Sequence, residues 1–268
     1  MPPLLAAMTA DTRIHPSAIV EAGAELGQGV EIGPFCVIGP RVRLGDGVRL
    51  ASHVVIGGDT RIGAETRIFP FASIGQEPQD LKFRGEDTRL EIGARNRIRE
   101  YVTMNPGTSG GGGLTRIGDD GLFMASCHVG HDCRIGDRVI LVNSVAVAGH
   151  CVIEDDVIVG GLSGIHQFVR IGQGAMIGAL SMVTADVVPH GLVQAPRAGL
   201  DGLNLVGLKR RGISRAELAE LRAALQRLHG GALRPTAQEM QDEQNGPLVQ
   251  QMLDFILGPS DRSFLKPL

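Results

Sequence analysis

The sequence predicts an all-β solenoid followed by a smaller α-helical domain. Aliphatic residues recur at every sixth position from Ile14 to Val183, and the period changes to helical spacing after about Pro189. The composition agrees, since 38 glycines, one tyrosine and no tryptophan in 268 residues suit a thin, repetitive interior. We therefore assign residues 1–190 to the solenoid and residues 191–268 to a helical C-terminal domain.

The six-residue repeat holds for 26 hexads with two interruptions. A helix would show a period of 3.6 residues and an ordinary strand a period of 2. Three hexads make one triangular coil of 18 residues, which predicts about nine coils. The pattern resembles the left-handed parallel β-helix of hexapeptide repeats. The left hand is taken from that resemblance, because parallel crossovers in general are right-handed.

The four cysteines share one position of the repeat. The fifth residue of each hexad is expected to point inward, where a narrow prism admits only small side chains. Cys36, Cys127, Cys133 and Cys151 all fall on it. No C-x-x-C pair is present, so the spacing indicates neither a zinc knuckle nor a disulfide framework. We predict that the cysteines fill the core and act neither as ligands nor as nucleophiles.

Composition and charge exclude several classes of protein. The chain carries 26 basic and 29 acidic side chains, for a net charge of −3, whereas a nucleic-acid-binding protein normally presents a strongly basic face. No apolar run approaches the ~18 residues of a membrane span. Residues 1–10 lack the basic segment of a signal peptide. We expect a cytoplasmic protein with no nucleic-acid partner and no transmembrane segment.

Two segments interrupt the repeat. Residues 75–91 are polar and carry Gln79, Asp80 and Lys82, while residues 105–116 contain four consecutive glycines at 110–113. Loops ejected from a rigid scaffold often carry function. We expect a functional role for the first loop and a plain flexible excursion for the glycine run.

The C-terminal part shows three helix starts. Ser214 and Glu217 form a capping box, and the helix that follows is expected to end at Gly230. Thr236 is predicted to begin a second helix. Pro247 is predicted to open a third, because proline is favoured at the first helical position. These helices could cap the last coil, whose exposed strand edges would otherwise invite aggregation.

Histidines cluster in one part of the repeat. Four of the eight lie between residues 128 and 166: His128, His131, His150 and His166. Residues 18 apart stack on neighbouring rungs, about 4.8 Å apart, so His131, Gly149 and Gln167 form one column. We therefore expect the four histidines near one corner or edge of the prism.

Three interpretations of this cluster are open. Exposed positions of a solenoid accept any polar residue, so the cluster could be an ordinary polar surface. Histidines from neighbouring subunits could bind zinc, as in γ-class carbonic anhydrases. Asp132 beside His131 and a glycine in the column instead favour a neutral histidine as general base, with a backbone N–H near a developing oxyanion. We predict the last arrangement and no metal.

The motifs resemble one known family. The chain reads Gln79-Asp80-Leu81-Lys82, His128-Val129-Gly130-His131-Asp132-Cys133, Ala148-Gly149-His150, His166-Gln167-Phe168 and, from Asn204, Gly207-Leu208-Lys209-Arg210-Arg211-Gly212. This order is similar to that of the acyl-[acyl-carrier-protein]–UDP-N-acetylglucosamine O-acyltransferases, which perform the first step of lipid A synthesis. The resemblance covers nearly the whole chain, including both interruptions.

The resemblance implies a role for each matching residue. His131 is the general base for the sugar 3-hydroxyl, Asp132 orients it, and the N–H of Gly149 binds the oxyanion. The implied substrate-binding residues are Gln79, Asp80, Lys82, His128, His150, His166, Gln167, Asn204, Arg210 and Arg211. The acyl donor is carried on the phosphopantetheine of acyl carrier protein, and no other cofactor is implied. The family is a homotrimer whose active sites lie between chains.

Some positions depart from the family pattern or bear on which substrate is used. Asn105-Pro106-Gly107 stands where many members have His-Arg-Gly. Some relatives acylate a 3-amino analogue of the sugar, so an amide product is an alternative to the ester. Ala179 occupies a position where side-chain size sets acyl length in the family, and alanine predicts an intermediate length.

The alternatives within the class are transferases that use acetyl- or succinyl-CoA and the companion N-acyltransferase of the same pathway. The companion usually has an extra N-terminal domain, for which a repeat starting at Ile14 leaves no room. Basic residues outnumber acidic ones by seven to two between residues 204 and 234. Such a patch is expected to steer an acidic acyl carrier protein.

Overall fold

The computed structural model describes residues 12–195 and 199–266, and most of the first range forms a three-sided parallel β-helix. Its first face, sheet A, contains β1 (Arg13–Ile14), β4 (Glu31–Ile32), β7 (Arg49–Leu50), β10 (Arg67–Ile68), β13 (Arg97–Ile98), β16 (Leu122–Phe123), β19 (Ile140–Leu141), β22 (Ile158–Val159) and β25 (Met176–Ile177). The expectation about a signal peptide concerns residues 1–10, which lie outside the described ranges.

Two further sheets form the other faces. Sheet B contains β2 (Ile19–Val20), β5 (Val37–Ile38), β8 (Val55–Ile56), β11 (Ser73–Ile74), β14 (Thr103–Met104), β17 (His128–Val129), β20 (Ala146–Val147), β23 (Gly164–Ile165) and β26 (Met182–Val183). Sheet C contains β3 (Glu25–Leu26), β6 (Arg43–Leu44), β9 (Asp59–Ile62), β12 (Arg89–Ile92), β15 (Leu114–Ile117), β18 (Arg134–Ile135), β21 (Val152–Ile153) and β24 (Arg170–Ile171). Each strand ends on the aliphatic residue of one hexad.

The strands pair in parallel with a register of 18 residues. Val129 pairs with Val147, and Val147 with Ile165. The two interruptions lengthen single coils, since Ile74 pairs with Met104 and Met104 with Val129. The predicted 18-residue coil is confirmed, and both loops leave the prism without shifting the residues that follow.

The core is a column of aliphatic side chains from the strand ends, together with the small residues at the fifth hexad position. All four cysteines are buried there, as predicted. Burial raises the pKa of Cys127 to about 11 and raises the pKa of Cys133 as well. A buried thiol that stays protonated is a poor nucleophile and a poor metal ligand.

The turns between faces place one residue per coil in the left-handed region of backbone space. At the corner between sheets A and B these residues are Phe35, His53, Phe71, Tyr101, Ser126, Ser144, Leu162 and Leu180. At the corner between sheets C and A they are Gly29, Gly47, Glu65, Arg95, Asp120, Arg138, Asp156, Gly174 and His190. The first corner carries no Asp, Glu, Lys or Arg at this position, whereas the second carries five.

The C-terminal part begins with a hairpin that the sequence did not predict. Strand β27 (Gly191–Gln194) pairs with β25 and so extends sheet A, and β28 (Gly199–Leu203) runs antiparallel to it. Four helices follow: α1 (Leu205–Arg210), α2 (Arg215–His229), α3 (Leu233–Gln241) and α4 (Pro247–Leu257). They pack around a second apolar core.

The structure confirms two of the predicted helix starts and corrects the third. Ser214 caps α2 in a capping box with Glu217, and Pro247 opens α4. The expected start at Thr236 is wrong, because α3 begins at Leu233 after Ala232, which makes no side-chain cap. Proline at residue 235 is tolerated there, since the first turn of a helix needs no N–H from it.

The two cores meet at the last coil. Val187 belongs to the β-helix core and Val188 to the helical core, while the boundary at residue 190 stays a prediction. His190 is buried at this junction. Its Nδ1 accepts a hydrogen bond from Arg211 Nη2 at 2.9 Å, and its Nε2 donates to Gln251 Oε1 at 3.1 Å. Burial, aided by the charge of Arg211, lowers the pKa of His190 to about 4.

This junction predicts a pH-dependent stability. Between pH 6.5 and pH 4 the unfolded chain binds a proton that folded His190 refuses, so the free energy of unfolding falls by about 3 kcal/mol as the pH drops. We expect His190→Gln to remove about that much of the loss. Denaturant unfolding at pH 7 and pH 4, with His15→Gln as an exposed-histidine control, measures it. Equal losses in the parent and the His190 variant would contradict the prediction.

Candidate active site

Three of the four clustered histidines, His128, His131 and His166, line a groove of about 450 Å³ at the edge of sheet B, whereas His150 is outside its lining. Its polar lining consists of Gln79, Asn105, His128, His131, His166 and Gln167, and its small or apolar lining includes Ala146, Gly149, Gly164 and Met182. Six of the predicted site residues therefore line one groove: Gln79, His128, His131, Gly149, His166 and Gln167. The corner between sheets B and C, where turn residues face outward, brings them together over three coils.

His131 and Asp132 form a hydrogen-bonded pair. His131 Nδ1 lies 2.8 Å from Asp132 Oδ2, and the carboxylate has no exposed surface. Because Asp132 accepts from Nδ1–H, the free lone pair of the neutral ring is on Nε2. His131 keeps some exposure and lines the groove. The pair therefore presents an oriented imidazole that can take a proton from a bound group.

Gly149 packs directly under the His131 ring. A Cβ at residue 149 would lie 2.6 Å from His131 Cε1 and Nε2, so only glycine lets the ring occupy this place. Within the described ranges, the N–H of Gly149 donates to no protein acceptor. Pro34 and Pro70 occupy the same hexad position in other coils. Because proline has no N–H, the β-helix does not need a hydrogen bond from this position. The fold therefore leaves this N–H free, beside the base.

His150 is held between two rings. It stacks on Phe168 with ring centres 4.4 Å apart and meets His131 edge-on at 4.9 Å. Burial lowers its pKa, while the charge of Asp132 opposes that effect. The burial of His128 likewise lowers its pKa, and the nearby His131 adds to the shift. Both side chains favour the neutral form, which suits them to hydrogen bonding.

Two other groups in the cluster have protein partners. His128 Nδ1 lies 2.8 Å from Thr103 Oγ1. His166 is exposed, and Arg262 Nη2 lies 3.2 Å from its Nδ1. Arg262 was not singled out from the sequence, because it is far from the repeat and belongs to no motif.

The first loop reaches the groove as expected. Gln79 lines it, and the charges of Asp80 and Lys82 lie close enough to act on the pKa of His150. Asp80 Oδ1 accepts from the N–H of Lys82 at 3.0 Å, which orders the loop tip. Asn105 anchors the loop base, since its Nδ2 donates to the carbonyls of residues 76 and 77.

The glycine loop is not the plain excursion that the sequence suggested. Residues Ser109–Gly111 form a 3₁₀ turn, and a Cβ at Gly111 would overlap the carboxyl carbon of Asp132. The N–H and hydroxyl of Thr108 both donate to that carboxylate, at 2.8 and 2.6 Å. That expectation was wrong, because a glycine run also permits close packing against a neighbouring group.

Two predicted substrate-binding residues have structural partners outside the groove. Asn204 caps α1, where its Oδ1 accepts from the N–H of Gly207 at 2.9 Å and its Nδ2 donates to the carbonyl of Gly174 at 3.0 Å. Arg211 contacts His190, as described above, and lies 3.7 Å from Asp156. Their contacts with substrate stay predictions.

Arg210 and Ala179 also lie outside the groove lining. Arg210 is exposed at the end of α1. Ala179 is exposed in the turn that leads from sheet A to sheet B, next to Leu180 in the left-handed column of that corner. The role of Ala179 in acyl length stays a prediction.

The metal interpretation fits the donor set poorly. Ligand atoms of His131, Asp132 and His150 lie within 4.8 Å of one another. However, both carboxylate oxygens of Asp132 already accept hydrogen bonds from Thr108, and Oδ2 also accepts from His131. A cation would have to displace these donors from a fully enclosed carboxylate. The geometry favours a hydrogen-bonded base.

Similarity to known proteins agrees with this geometry. Residues 186–265 match the family "Udp N-acetylglucosamine O-acyltransferase; Domain 2", and residues 23–58 match "Bacterial transferase hexapeptide (six repeats)". The acyl-[acyl-carrier-protein]–UDP-N-acetylglucosamine O-acyltransferase of Paracoccus denitrificans is 72% identical, over 96% of this chain and 99% of its own length. The enzyme of that name from Rhizobium etli is 47% identical over 95% of each chain.

A solved structure is similar over the same extent. The UDP-N-acetylglucosamine acyltransferase from Campylobacter jejuni is 38% identical, with a TM-score of 0.90 over 96% of this chain and 100% of that one. This likeness and the hexapeptide match confirm the predicted left-handed parallel β-helix with a helical C-terminal part. The chain belongs to the acyl-[acyl-carrier-protein]–UDP-N-acetylglucosamine O-acyltransferase family.

Proposed function

We propose that the protein transfers an (R)-3-hydroxyacyl group from acyl carrier protein to the 3-hydroxyl of UDP-N-acetylglucosamine, the first step of lipid A biosynthesis. The observation that carries the proposal is the His131–Asp132 pair, whose imidazole ring lines a groove and lies against Gly149, with its unused N–H. The high identity to relatives named for this reaction supports the same conclusion.

The geometry divides the reaction among three groups. His131 Nε2 takes the proton as the sugar hydroxyl attacks the thioester carbonyl. The N–H of Gly149 donates to the oxyanion of the tetrahedral intermediate. When the intermediate collapses, the carbon–sulfur bond breaks and the imidazolium returns a proton to the phosphopantetheine thiolate. Asp132 holds the ring in one tautomer and stabilises its charged form.

This chemistry needs only hydrogen-bonding and acid–base groups. Acyl transfer from a thioester changes no oxidation state, and a histidine titrates near neutral pH. We therefore propose no cofactor beyond the phosphopantetheine that carries the acyl group. The hydrogen bonds that enclose the Asp132 carboxylate argue against a zinc site of the γ-carbonic-anhydrase kind.

Groups around the base are proposed to hold the substrates. The neutral forms of His128 and His150 can exchange hydrogen bonds with sugar hydroxyls, and Lys82 supplies positive charge for a diphosphate. The remaining proposed contacts are Gln79, Asp80, His166, Gln167, Asn204, Arg210 and Arg211. Ala179 is proposed to limit the acyl chain to an intermediate length.

The hydroxyl sugar is favoured over its 3-amino analogue as acceptor. The relatives at 72% and 47% identity are both named O-acyltransferases. Asn105, which departs from the usual family motif, lines the groove but uses its amide N–H groups to anchor the first loop.

A basic surface on the helices is proposed to dock acyl carrier protein. Exposed cations on α1 and α2 include Lys209, Arg210, Arg215 and Arg222. Acyl carrier proteins are acidic, so this surface accelerates their approach in a salt-dependent way.

The A–B corner is proposed as the axis of a homotrimer. Rings of Phe35, His53, Phe71 and Tyr101 stack along it with centres 4.9 to 5.2 Å apart. Leu162 and Leu180 continue the same column and are largely exposed. Exposed apolar surface of this extent marks an interface. Three copies meeting here would also bring Ala179 of one chain toward the groove of the next.

A cytoplasmic location is proposed from the state of the four cysteines. The four cysteines are free thiols, which persist in the reducing cytoplasm. Within the described ranges, none of the helices has both the length and the hydropathy to cross a membrane.

The central prediction concerns transfer and its base. The purified protein should transfer (R)-3-hydroxyacyl groups from a chain-length panel of acyl carrier proteins to UDP-N-acetylglucosamine. His131→Ala should lose at least ~10²-fold in rate, the scale of general-base catalysis, while His15→Ala should not. A preference for intermediate chains would support the role of Ala179. Transfer to neither the hydroxyl sugar nor its 3-amino analogue would reject the proposed function.

Gly149→Ala tests the oxyanion position. The new methyl would push the His131 ring away and crowd the N–H, so we expect kcat to fall by ~10²–10³-fold, as for loss of an oxyanion donor. Gly230→Ala, at the end of α2, is the matched control. Circular dichroism should show an unchanged fold for both variants. Full activity in the Gly149 variant would exclude this glycine from catalysis.

Phe71→Glu tests the assembly. A carboxylate on each of three chains at the A–B corner would place like charges together beside apolar rings, so we expect light scattering to report a mass below that of the trimer. Val206→Glu, at an apolar position on α1 that is more exposed than Phe71 (61% against 46%), should keep the parent mass. A trimeric Phe71 variant would mean that the chains meet elsewhere.

A further inference from the structure

We propose that Thr108, at the start of the glycine loop, is a positioning residue that fixes the Asp132 carboxylate and through it the tautomer of His131. This inference rests on the proposed function for its kinetic consequence. Within the described ranges Thr108 is not a groove-lining residue and makes no hydrogen bond to the His131 ring, whereas its N–H and hydroxyl both bond to Asp132, so we expect any effect on transfer to pass through Asp132.

The contacts are specific to both carboxylate oxygens. Thr108 N–H donates to Oδ1 at 2.8 Å, and its hydroxyl donates to Oδ2 at 2.6 Å. The backbone N–H of Asp132 in turn donates to Thr115 Oγ1 at 2.7 Å. Because the carboxylate is fully enclosed, these donors replace the water that would otherwise solvate it. The glycine loop therefore holds the side chain of Asp132, and the adjoining strand β15, which carries Thr115, holds its backbone N–H.

One oxygen of Asp132, Oδ2, connects the contact with Thr108 to the proposed base, His131. Oδ2 accepts from both the Thr108 hydroxyl and His131 Nδ1. With Thr108 in place, the carboxylate plane is fixed and Oδ2 stays on the line of the Nδ1–H bond. Without the hydroxyl, the carboxylate can rotate toward another donor, and the ring loses its preference for a proton on Nδ1. A ring protonated on Nε2 cannot act as the base.

The glycines of the loop make the contact between Thr108 and Asp132 possible. The carbonyl of Thr108 accepts from the N–H groups of Gly111 and Gly113, at 3.0 and 2.8 Å, which folds the loop back on itself. Gly112 and Gly113 have φ of 93° and 77°, which a side chain would strain. Gly111 leaves room for the carboxylate. The loop is thus shaped to bring Thr108 against Asp132.

Three threonine variants test the proposal. Thr108→Val removes the hydroxyl and keeps the shape, whereas Thr108→Ser keeps the donor. Thr66→Val is the matched control, because Thr66 is also buried and its hydroxyl is also hydrogen-bonded, donating to the carbonyl of Gly93 and accepting from the N–H of Asn96, both outside the groove. For each, kcat and both KM values are measured, and ¹⁵N NMR of the His131 ring reports its tautomer.

We expect Thr108→Val to lower kcat by ~10–100-fold, by analogy with the cost of losing a hydrogen-bond partner that orients a functional histidine at metal sites, with both KM values within about twofold of the parent. Thr108→Ser should stay near the parent, and Thr66→Val should change kcat little even if it melts earlier. The His131 ring of Thr108→Val should show a mixed tautomer population.

Two results would overturn the proposal. One is a Thr108→Val enzyme with parental kcat and tautomer, and the other is a Thr108→Ser enzyme as impaired as the valine variant. Failure of the proposed function is distinguishable, because then the parent itself would transfer nothing. The NMR comparison would still decide whether Thr108 sets the His131 tautomer.

Discussion

The 18-residue register of the parallel strands is the constraint on which the rest of the structure depends. It stacks each residue on the one 18 positions before it at a spacing of about 4.8 Å, so a turn position becomes a column of side chains. His131 and Gly149 contact each other because they occupy one such column. Asp132, His150 and Phe168 occupy the next column, all with positive φ. The site is thus assembled from three coils that are rigid for reasons unrelated to chemistry.

The loops add what a regular prism cannot provide. Turn residues of a solenoid face solvent, where a carboxylate beside a histidine would be hydrated and weakly coupled to it. The glycine loop packs against the Asp132 carboxylate, which has no exposed surface, and the first loop places Gln79 in the groove. Asn105 joins the two loops, because it begins one and donates to the base of the other. Because the Asp132 carboxylate is enclosed, two neighbouring turn residues form a strongly coupled His131–Asp132 pair.

Much of this organisation could be predicted from periodicity, and the failures have physical causes. The strand ends and the buried cysteines follow from the hexads, since each position has one environment. The hairpin of β27 and β28 could not be predicted, because it follows the last hexad and depends on pairing with sheet A. Thr108 was missed because its partner lies 24 residues away across a loop. Asn204 was assigned to substrate from a motif, whereas its described hydrogen bonds cap α1 and reach Gly174.

The adjacency of His131 and Asp132 in sequence is itself explained by the turn. Consecutive side chains in a strand point to opposite faces, so neighbours there could not form a 2.8 Å hydrogen bond. The left-handed conformation of Asp132, with φ of 59°, turns its side chain back toward the preceding ring. Aspartate tolerates this conformation better than most residues. The same turn that closes each coil therefore also orients the base, and it leaves the Gly149 N–H free one rung away.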